Sequence, residues 1–198
     1  KIGIVPIFRI QDAGKEGLKR NEDAYRRVNR LLQRNGKVIV FAEGLCIQER
    51  RLRPLKKGVA RMVFGSYDHL GHDKLKVIPV GVNYSKPDKF RSKLLYNVGE
   101  PIAVRDYIEA YRENPARAYN AFLQDLEKAM LEQVIHIPSP EMDDTVHYAE
   151  KLVMADSIRQ QGLPPKALRS EFIVSRQLIE KITRAAKEQS SVYQSFKE

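Results

Sequence analysis

The sequence has one cysteine, Cys46, among its 198 residues. A single thiol cannot form an intrachain disulfide bond, so the chain is compatible with a reducing compartment. No apolar run approaches the roughly 18 residues of a membrane span, and no signal-peptide pattern, internal repeat or low-complexity tract is visible. These absences leave only peripheral membrane contact for this stretch of chain.

Charge is distributed unevenly along a composition that is otherwise typical of a soluble domain. Hydrophobic residues make up 42% of the chain and charged residues 30%, which fits one globular core. The net charge of +10 arises entirely within residues 1–61, which hold 16 Lys and Arg against 6 Asp and Glu. Such a field attracts a phosphate-bearing ligand, an anionic membrane or a nucleic acid, although a solvated basic face accounts for it equally well.

The first hundred residues alternate between apolar strand patterns and helical periodicity. The patterns predict strands at residues 2–8, 38–41, 76–82 (broken by Pro79) and 93–99, and helices at 18–35 and 56–68. Residues 38–41 are continuously apolar, as in a buried parallel strand. This order favours right-handed crossover connections and therefore an α/β fold with a mainly parallel sheet.

The remainder of the chain is predominantly helical in pattern. Apolar spacing predicts helices at residues 116–134, 145–161 and 165–188, with a proline-containing linker at 137–144. We therefore divide the chain into a domain at residues 1–136 and a helical C-terminal extension at residues 137–198.

Four ordered segments carry a family resemblance. They are Gly3–Arg9 (GIVPIFR), Phe41–Gly44 (FAEG) followed by Arg53–Gly58 (RPLKKG), Val77–Val80 (VIPV) and Gly99–Ile102 (GEPI). In this order and spacing they resemble the glycerolipid acyltransferase family over about residues 1–135. The chain departs from the family pattern at Phe8, Ala42, Leu45 and Cys46, where the family usually has aspartate, proline, threonine or serine, and arginine.

The resemblance implies a mixed, mainly parallel sheet flanked by helices, and an enzyme of phospholipid synthesis. Such an enzyme moves a fatty acyl group from acyl-CoA or acyl carrier protein to a hydroxyl of a lysophospholipid, such as lysophosphatidic acid, or of glycerol phosphate. It implies no other cofactor, no metal and no nucleic-acid partner. It also implies a cytoplasmic enzyme that is peripheral at the inner membrane face.

The resemblance assigns substrate binding to residues of the first two segments. The predicted set is Arg9, Glu43, Gly44, Arg53, Lys56, Lys57 and Gly58. Arginine offers phosphate a bidentate fork, and two lysines at a helix N-terminus add charge to the helix dipole. We expect Gly44 to let the backbone turn, and Glu43 to bind a glycerol hydroxyl or to hold Arg9 and the lysines in place. Purely structural roles compete, namely a surface salt bridge for Arg9, a strand-end acid for Glu43 and a solvated helix start for the lysines.

The family's catalytic motif, a histidine with an aspartate five positions later, is missing from this sequence. His69, His72, His136 and His147 are followed at that distance by lysine, valine, glutamate and leucine. Pro138 and Pro140 keep His136 and Glu141 out of a shared helical turn. We therefore predict no catalytic residue in this chain, expect the motif upstream of Lys1, and expect residues 1–198 alone to be inactive. Cys46 has no histidine partner that the sequence can identify, which disfavours a nucleophilic thiol.

Two other classes of function compete with the enzyme. Arg50, Arg51, Arg53, Lys56 and Lys57 form a basic run that suits nucleic-acid phosphates, but it lacks interleaved aromatic residues for base stacking. One of the three arginines is also a candidate replacement for the family arginine absent at Cys46. The second alternative is a lipid-binding or scaffolding protein that retains the fold without catalysis.

Overall fold

The structure is a computed structural model that describes residues 3–5, 7, 10–45, 47–70, 75–86 and 89–188. Among these residues it contains six α-helices and four short strands, divided between two compact units. Unit 1 comprises residues 1–45, 54–77 and 101–126, and unit 2 comprises residues 46–53, 78–100 and 127–198. None of the helices in the described residues is long and apolar enough to cross a bilayer. The division of the chain at residue 136 stays a prediction.

In unit 1, helix α1 (Ile10–Gln33) packs against helix α2 (Lys57–Leu70). Ala24 and Val28 are buried on α1, and Ser66 of α2 donates a 2.8 Å hydrogen bond to the side-chain oxygen of Asn29. Asn35, at φ 55°, ends α1, and the Gly36 N–H returns to the Leu31 carbonyl at 2.9 Å. Both predicted helices of this region are confirmed, and α1 begins earlier than its apolar spacing indicates.

An aromatic cluster forms the core of unit 1. Phe64 of α2 and Phe122 of α4 (Pro115–Leu131) are fully buried, with ring centroids 5.6 Å apart in an edge-to-face arrangement. Tyr111 of α3 (Ile108–Glu113) stacks on Phe64 at 4.8 Å and donates a hydrogen bond to Asp68. Burial, reinforced by this hydrogen bond, raises the pKa of Tyr111 above its ordinary value. The cluster therefore holds the C-terminal half of α2 in place.

Unit 2 combines a hairpin with two long helices. Strands β2 (Val80–Tyr84) and β3 (Leu94–Val98) pair in antiparallel fashion, with Val80 opposite Val98 and Tyr84 opposite Leu94. Helices α5 (Asp143–Gln160) and α6 (Leu168–Lys187) confirm the predicted helices at residues 145–161 and 165–188. Their core includes Met142, Val146 and Ile179, which cluster with Ile137 of the preceding linker.

The predicted mainly parallel sheet is not found in the described residues, so the fold is mixed α/β with small antiparallel sheets. Strands β1 (Lys76–Val77) and β4 (Ile102–Ala103) form a second antiparallel pair, and buried Pro79 stands between β1 and β2 in the chain. Residues 38–41 adopt no strand, and their Ile39 and Phe41 side chains are 86% and 82% exposed. The described residues of the predicted strand at 2–8 are likewise in no strand.

Loop length supplies the physical reason for the antiparallel pairing. Only residues 85–93 connect β2 to β3, whereas a parallel crossover needs a dozen or more residues and usually a helix. An apolar run such as residues 38–41 becomes a buried strand only where neighbouring strands accept its backbone hydrogen bonds. The prediction of a strand at residues 38–41 is therefore wrong, because an apolar composition does not by itself supply neighbouring strands.

The inner face of the hairpin is polar and closely packed. Asn83 and Asn97 each donate a side-chain hydrogen bond to the Gln133 carbonyl oxygen, at 2.9 and 3.0 Å. The Ile135 N–H donates in turn to the Asn83 side-chain oxygen at 3.0 Å. Gly81 lies directly against the Gln133 backbone, and a Cβ at this position would collide with the Gln133 carbonyl. The packing of the hairpin against Gln133 therefore requires glycine at residue 81.

We predict that Gly81→Ala destabilises the protein by about 2 kcal/mol, within the usual range for overpacking. The added methyl group must displace the Gln133 carbonyl, which accepts both asparagine hydrogen bonds. Chemical denaturation followed by circular dichroism measures the change. Gly65→Ala on α2 is the control, because its methyl group would meet no atom within 4 Å beyond the adjacent residues and the backbone of its own helix, and alanine favours the helix. Equal stability of the two variants would contradict the packing argument.

Candidate functional site

A tight turn places Glu43 and Gly44 beside the start of helix α2. The Gly44 N–H donates to the Phe41 carbonyl at 3.1 Å, and Gly44 has a φ of +65°, which favours glycine. The Lys56 N–H donates to the carbonyl of buried Ala42 at 2.9 Å, joining the turn to the helix. A Cβ on Gly44 would lie 3.3 Å from the Lys56 side chain, so the two residues are neighbours.

The first turn of α2 has the properties of an anion-binding site. The helix begins at Lys57 and has no acidic residue in its first turn. Lys56, Lys57 and Gly58 are exposed, and a Gly58 side chain would meet no atom within 4 Å beyond the adjacent residues and the backbone of its own helix. Open backbone N–H groups, a helix dipole and two ammonium groups all favour a phosphate here. The Val59 N–H already donates to the Lys56 carbonyl at 3.0 Å.

The structure therefore brings together five of the seven predicted substrate-binding residues, which are Glu43, Gly44, Lys56, Lys57 and Gly58. Arg53 belongs to unit 2, where it forms an ion pair with Glu49 at 2.6 Å. Arg9 and Cys46 lie outside the described residues, so their predicted roles stay predictions. No cluster of three or more His, Cys, Asp or Glu suited to a metal ion occurs in the part of the chain that the structure describes.

Most of the basic run is engaged in ion pairs within unit 2. Arg50 makes a bidentate pair with Glu150 of α5, at 2.7 and 2.6 Å. Arg51 pairs with Asp143 at 2.8 Å. Although burial raises the pKa of Glu150, the hydrogen bonds and charge of Arg50 outweigh it and leave that pKa below its ordinary value. Sequence reasoning missed these pairs, because nearly a hundred residues separate the partners.

His136 has a structural role. Its Nδ1 accepts the Leu52 N–H at 3.0 Å, and the Ile137 N–H next to it donates to the Arg50 carbonyl at 2.7 Å. Burial, helped by the nearby charge of Arg51, lowers the pKa of His136 below its ordinary 6.5. The neutral ring therefore carries its proton on Nε2, and the lone pair of Nδ1 already accepts the Leu52 N–H. His69 and His147 are exposed on helices α2 and α5.

Comparison with known proteins shows which family this chain is similar to. Residues 1–83, which include the turn and the whole of α2, match the family model described as Acyltransferase. Together with the similar proteins described next, this match confirms the resemblance to the glycerolipid acyltransferase family.

Three fungal proteins are similar to the chain. Glycerol-3-phosphate O-acyltransferase 1 of Saccharomyces cerevisiae is 37% identical over 91 residues, which is 46% of this chain and 12% of that protein. Glycerol-3-phosphate O-acyltransferase 2 of the same yeast is 28% identical over 140 residues, or 70% of this chain and 19% of that protein. An uncharacterized acyltransferase of Schizosaccharomyces pombe is 29% identical over 119 residues, or 59% of this chain and 18% of that protein.

The similarity covers only part of each relative. The matched segments span between 12% and 19% of the relatives' lengths, so the chain corresponds to a fraction of a much larger protein in each case. No solved structure shows a significant match to the chain. The comparisons therefore support an acyltransferase without identifying its acyl donor or its acceptor.

The structural role of His136 predicts a specific pH dependence of stability. Because the folded-state pKa lies below 6.5, the unfolded chain binds a proton first as the pH falls, and stability is lost below about pH 6.5. We expect His136→Asn to keep the Leu52 hydrogen bond through its side-chain oxygen and to abolish this loss. Denaturant unfolding at several pH values between about 8 and 5 measures this loss of stability. Glu150 does not interfere, because its lowered pKa keeps the carboxylate ionised over this range.

The exposed His69→Asn variant controls for the removal of one histidine. Because this variant keeps His136, its stability should fall below about pH 6.5 as the wild-type stability does. If His136→Asn loses stability as steeply as the wild type over this range, the assignment of the titration to His136 is wrong.

Proposed function

We propose that this chain is part of an O-acyltransferase that acylates a phosphate-bearing glycerol acceptor, of the glycerol phosphate or lysophosphatidic acid type. The single observation that carries the proposal is the assembly of Glu43, Gly44, Lys56, Lys57 and Gly58 at the open start of α2. The family match over residues 1–83 supports it, as do the names of the two yeast relatives.

The reaction would join the acceptor hydroxyl to a fatty acyl group. The hydroxyl oxygen attacks the thioester carbonyl of acyl-CoA or acyl carrier protein, an ester C–O bond forms and the C–S bond breaks. The hydroxyl proton passes to a general base and then to the departing thiolate. The resemblance assigns that base to a histidine with an aspartate five positions later, and no histidine of this sequence has that spacing.

In this proposal the start of α2 binds the acceptor phosphate. Lys56 and Lys57 supply charge, and the open N–H groups of the first turn supply hydrogen bonds. Glu43, held by the adjoining turn, orients the glycerol by accepting a hydrogen bond from a hydroxyl group. Arg9 would add a second phosphate contact. The exposed Arg26 and Arg30 of α1, and Arg34 directly after it, would face an anionic membrane.

The nucleic-acid alternative loses support from the ion pairs of unit 2. Arg50, Arg51 and Arg53 supply three of the five charges in the basic run, and each is paired with a carboxylate. A phosphate backbone would have to compete with Glu150, Asp143 and Glu49 for these side chains. The same pairs weaken the proposal that one of these arginines replaces the family arginine absent at residue 46.

We predict that Glu43→Gln in the complete enzyme lowers kcat/KM for glycerol phosphate at least tenfold, about 1.4 kcal/mol of transition-state stabilisation. The amide lacks the charge that would strengthen a hydrogen bond from the acceptor hydroxyl. Steady-state kinetics with varied glycerol phosphate measures the effect. Glu109→Gln, at an exposed carboxylate of α3, is the matched control. A change smaller than twofold for Glu43→Gln would make Glu43 a structural residue.

A second prediction separates acceptor binding from chemistry. Residues 1–198 alone should bind glycerol 3-phosphate without acylating it, because the chain lacks the histidine and aspartate pair. Lys57→Gln should weaken that binding about tenfold by removing a charge-assisted contact. Isothermal titration calorimetry and an acylation assay measure the two properties, with the exposed Arg117→Gln of α4 as the control. Enzyme-dependent acylation by this chain would contradict the prediction of inactivity. If Lys57→Gln binds glycerol 3-phosphate as tightly as the wild type, the phosphate does not bind at the start of α2.

A further inference from the structure

The loop at the end of the hairpin in unit 2 is closed by two serines. The Ser85 N–H donates to the Lys93 carbonyl at 3.0 Å, and the Lys93 N–H returns to the Ser85 hydroxyl at 2.9 Å. The Lys86 N–H donates to the Ser92 hydroxyl at 3.2 Å, and the two hydroxyls lie 3.3 Å apart. The described residues of this loop are thus anchored at its base by side-chain and main-chain hydrogen bonds.

This loop presents a large apolar side chain to solvent. Phe90 is 92% exposed, the highest value among the exposed large hydrophobic residues of the described chain. Arg91, which follows it, has a φ of 61°, an unfavourable conformation for a residue with a Cβ. The Arg91 guanidinium lies 5.6 Å from the centre of the Phe90 ring, so a cation accompanies the aromatic group.

The sequence on either side of Phe90 is rich in cations. Lys86, Lys89, Arg91 and Lys93 lie in the same loop, whose sequence contains one acid, Asp88. The Lys93 ammonium donates to the Lys166 carbonyl at 3.3 Å, which brings the turn between α5 and α6 alongside the loop. Among the described residues no salt bridge involves any of these five cations.

The apolar surface continues from the loop onto the outer face of the strands. Tyr84 and Leu94 form the strand pair nearest the loop and are 58% and 38% exposed. The next pair on this face, Val82 and Tyr96, is also exposed. The surface therefore combines an exposed phenylalanine and its neighbouring cations with exposed tyrosine and aliphatic side chains, a combination that suits a bilayer interface.

We propose that this surface, formed by Lys86, Lys89, Phe90, Arg91, Lys93 and Lys166, binds an anionic lipid bilayer. Phe90 enters the boundary between headgroups and acyl chains, and the five cations contact lipid phosphates. A lipid surface fits better than a nucleic acid, because the exposed surface that continues from the loop includes the aliphatic side chains of Leu94 and Val82, which acyl chains cover and stacked bases do not. It fits better than an acidic protein surface, because charge pairing alone leaves Phe90 in water. The proposal does not depend on acyl transfer, and it concerns residues distant in sequence from the α1 arginines.

The absence of tryptophan from the chain makes the proposal directly measurable. Phe90→Trp introduces a single tryptophan, which is excited selectively over the nine tyrosines, on a side chain that packs little within the protein. Its emission should shift to shorter wavelength on vesicles of phosphatidylcholine with phosphatidylserine, and brominated lipid should quench it. Vesicles of phosphatidylcholine alone should cause a much smaller change, because the cations then have no net negative surface to bind.

A matched control lies on α5 of the same unit. Tyr148 is 58% exposed, and the Lys151 ammonium lies 5.4 Å from its ring centre, so this aromatic and cation pair resembles Phe90 and Arg91. The Tyr148→Trp variant should show neither the shift nor the quenching. If it responds as strongly as Phe90→Trp, or if neither responds, the assignment of lipid binding to the hairpin loop is wrong.

Vesicle co-sedimentation gives the size of the effect. Phe90→Ala should lower partitioning about tenfold, and the double variant Lys86→Gln/Lys89→Gln about 25-fold, since each cation near an anionic surface contributes about fivefold. Unchanged circular dichroism and melting temperature establish that these exposed substitutions leave the fold intact. If both variants keep wild-type partitioning, or if single-stranded RNA alone changes the emission of Phe90→Trp, the lipid proposal is overturned.

Discussion

One backbone hydrogen bond, from the Lys56 N–H to the Ala42 carbonyl, holds the candidate site together. It fixes the Glu43 turn against the first turn of α2, and the left-handed conformation of Gly44 lets the chain reverse without a side chain in the way. The far half of α2 is held in turn by the aromatic cluster around Phe64. The anion-binding character of the helix start therefore rests on a helix that is anchored at its other end.

In unit 2, the short segment that follows α4 has the corresponding central role. Its Gln133 carbonyl accepts two asparagine side chains of the hairpin, and its His136 and Ile137 bond to the backbone of residues 50–52. The ion pairs of Arg50 and Arg51 attach the same loop to α5. Polar contacts thus connect the parts of unit 2, and the apolar cluster around Val146 fills the space between linker and helices.

The net charge of a sequence segment does not show where unpaired charge lies on the folded protein. The excess of +10 in the first 61 residues suggested one basic surface, yet three of its arginines are neutralised by acids of residues 49–150. A second group of cations, around Phe90, lies in the part of the sequence whose net charge is zero. Counting charges by segment could not find it, because acids elsewhere in the segment cancel the sum while remaining far from the loop.

Much of the local structure follows from sequence alone. Helical periodicity located α1, α2, α4, α5 and α6, and Pro79 marked the break between β1 and β2. The ordered motifs at Gly3–Arg9 and Phe41–Gly44 indicated the family resemblance that the comparisons confirm. These features are local, since helices depend on neighbouring residues and motifs on short spacing. The same motifs selected Glu43, Gly44, Lys56, Lys57 and Gly58, which the structure brings together, and also Arg53, which lies in unit 2.

Strand pairing, ion pairing and the tautomer of His136 were decided only by the tertiary structure. The apolar run at residues 38–41 has the composition of a buried strand, but a strand needs a partner, and partners come from elsewhere in the chain. Arg50 pairs with Glu150, 100 residues away in the sequence, and His136 accepts a hydrogen bond from the Leu52 N–H, 84 residues away. The sequence determined which helix or strand each segment could form. Long-range contacts determined which strands paired and which charged or polar side chains were bonded, because a hydrogen bond or ion pair requires two groups in one place.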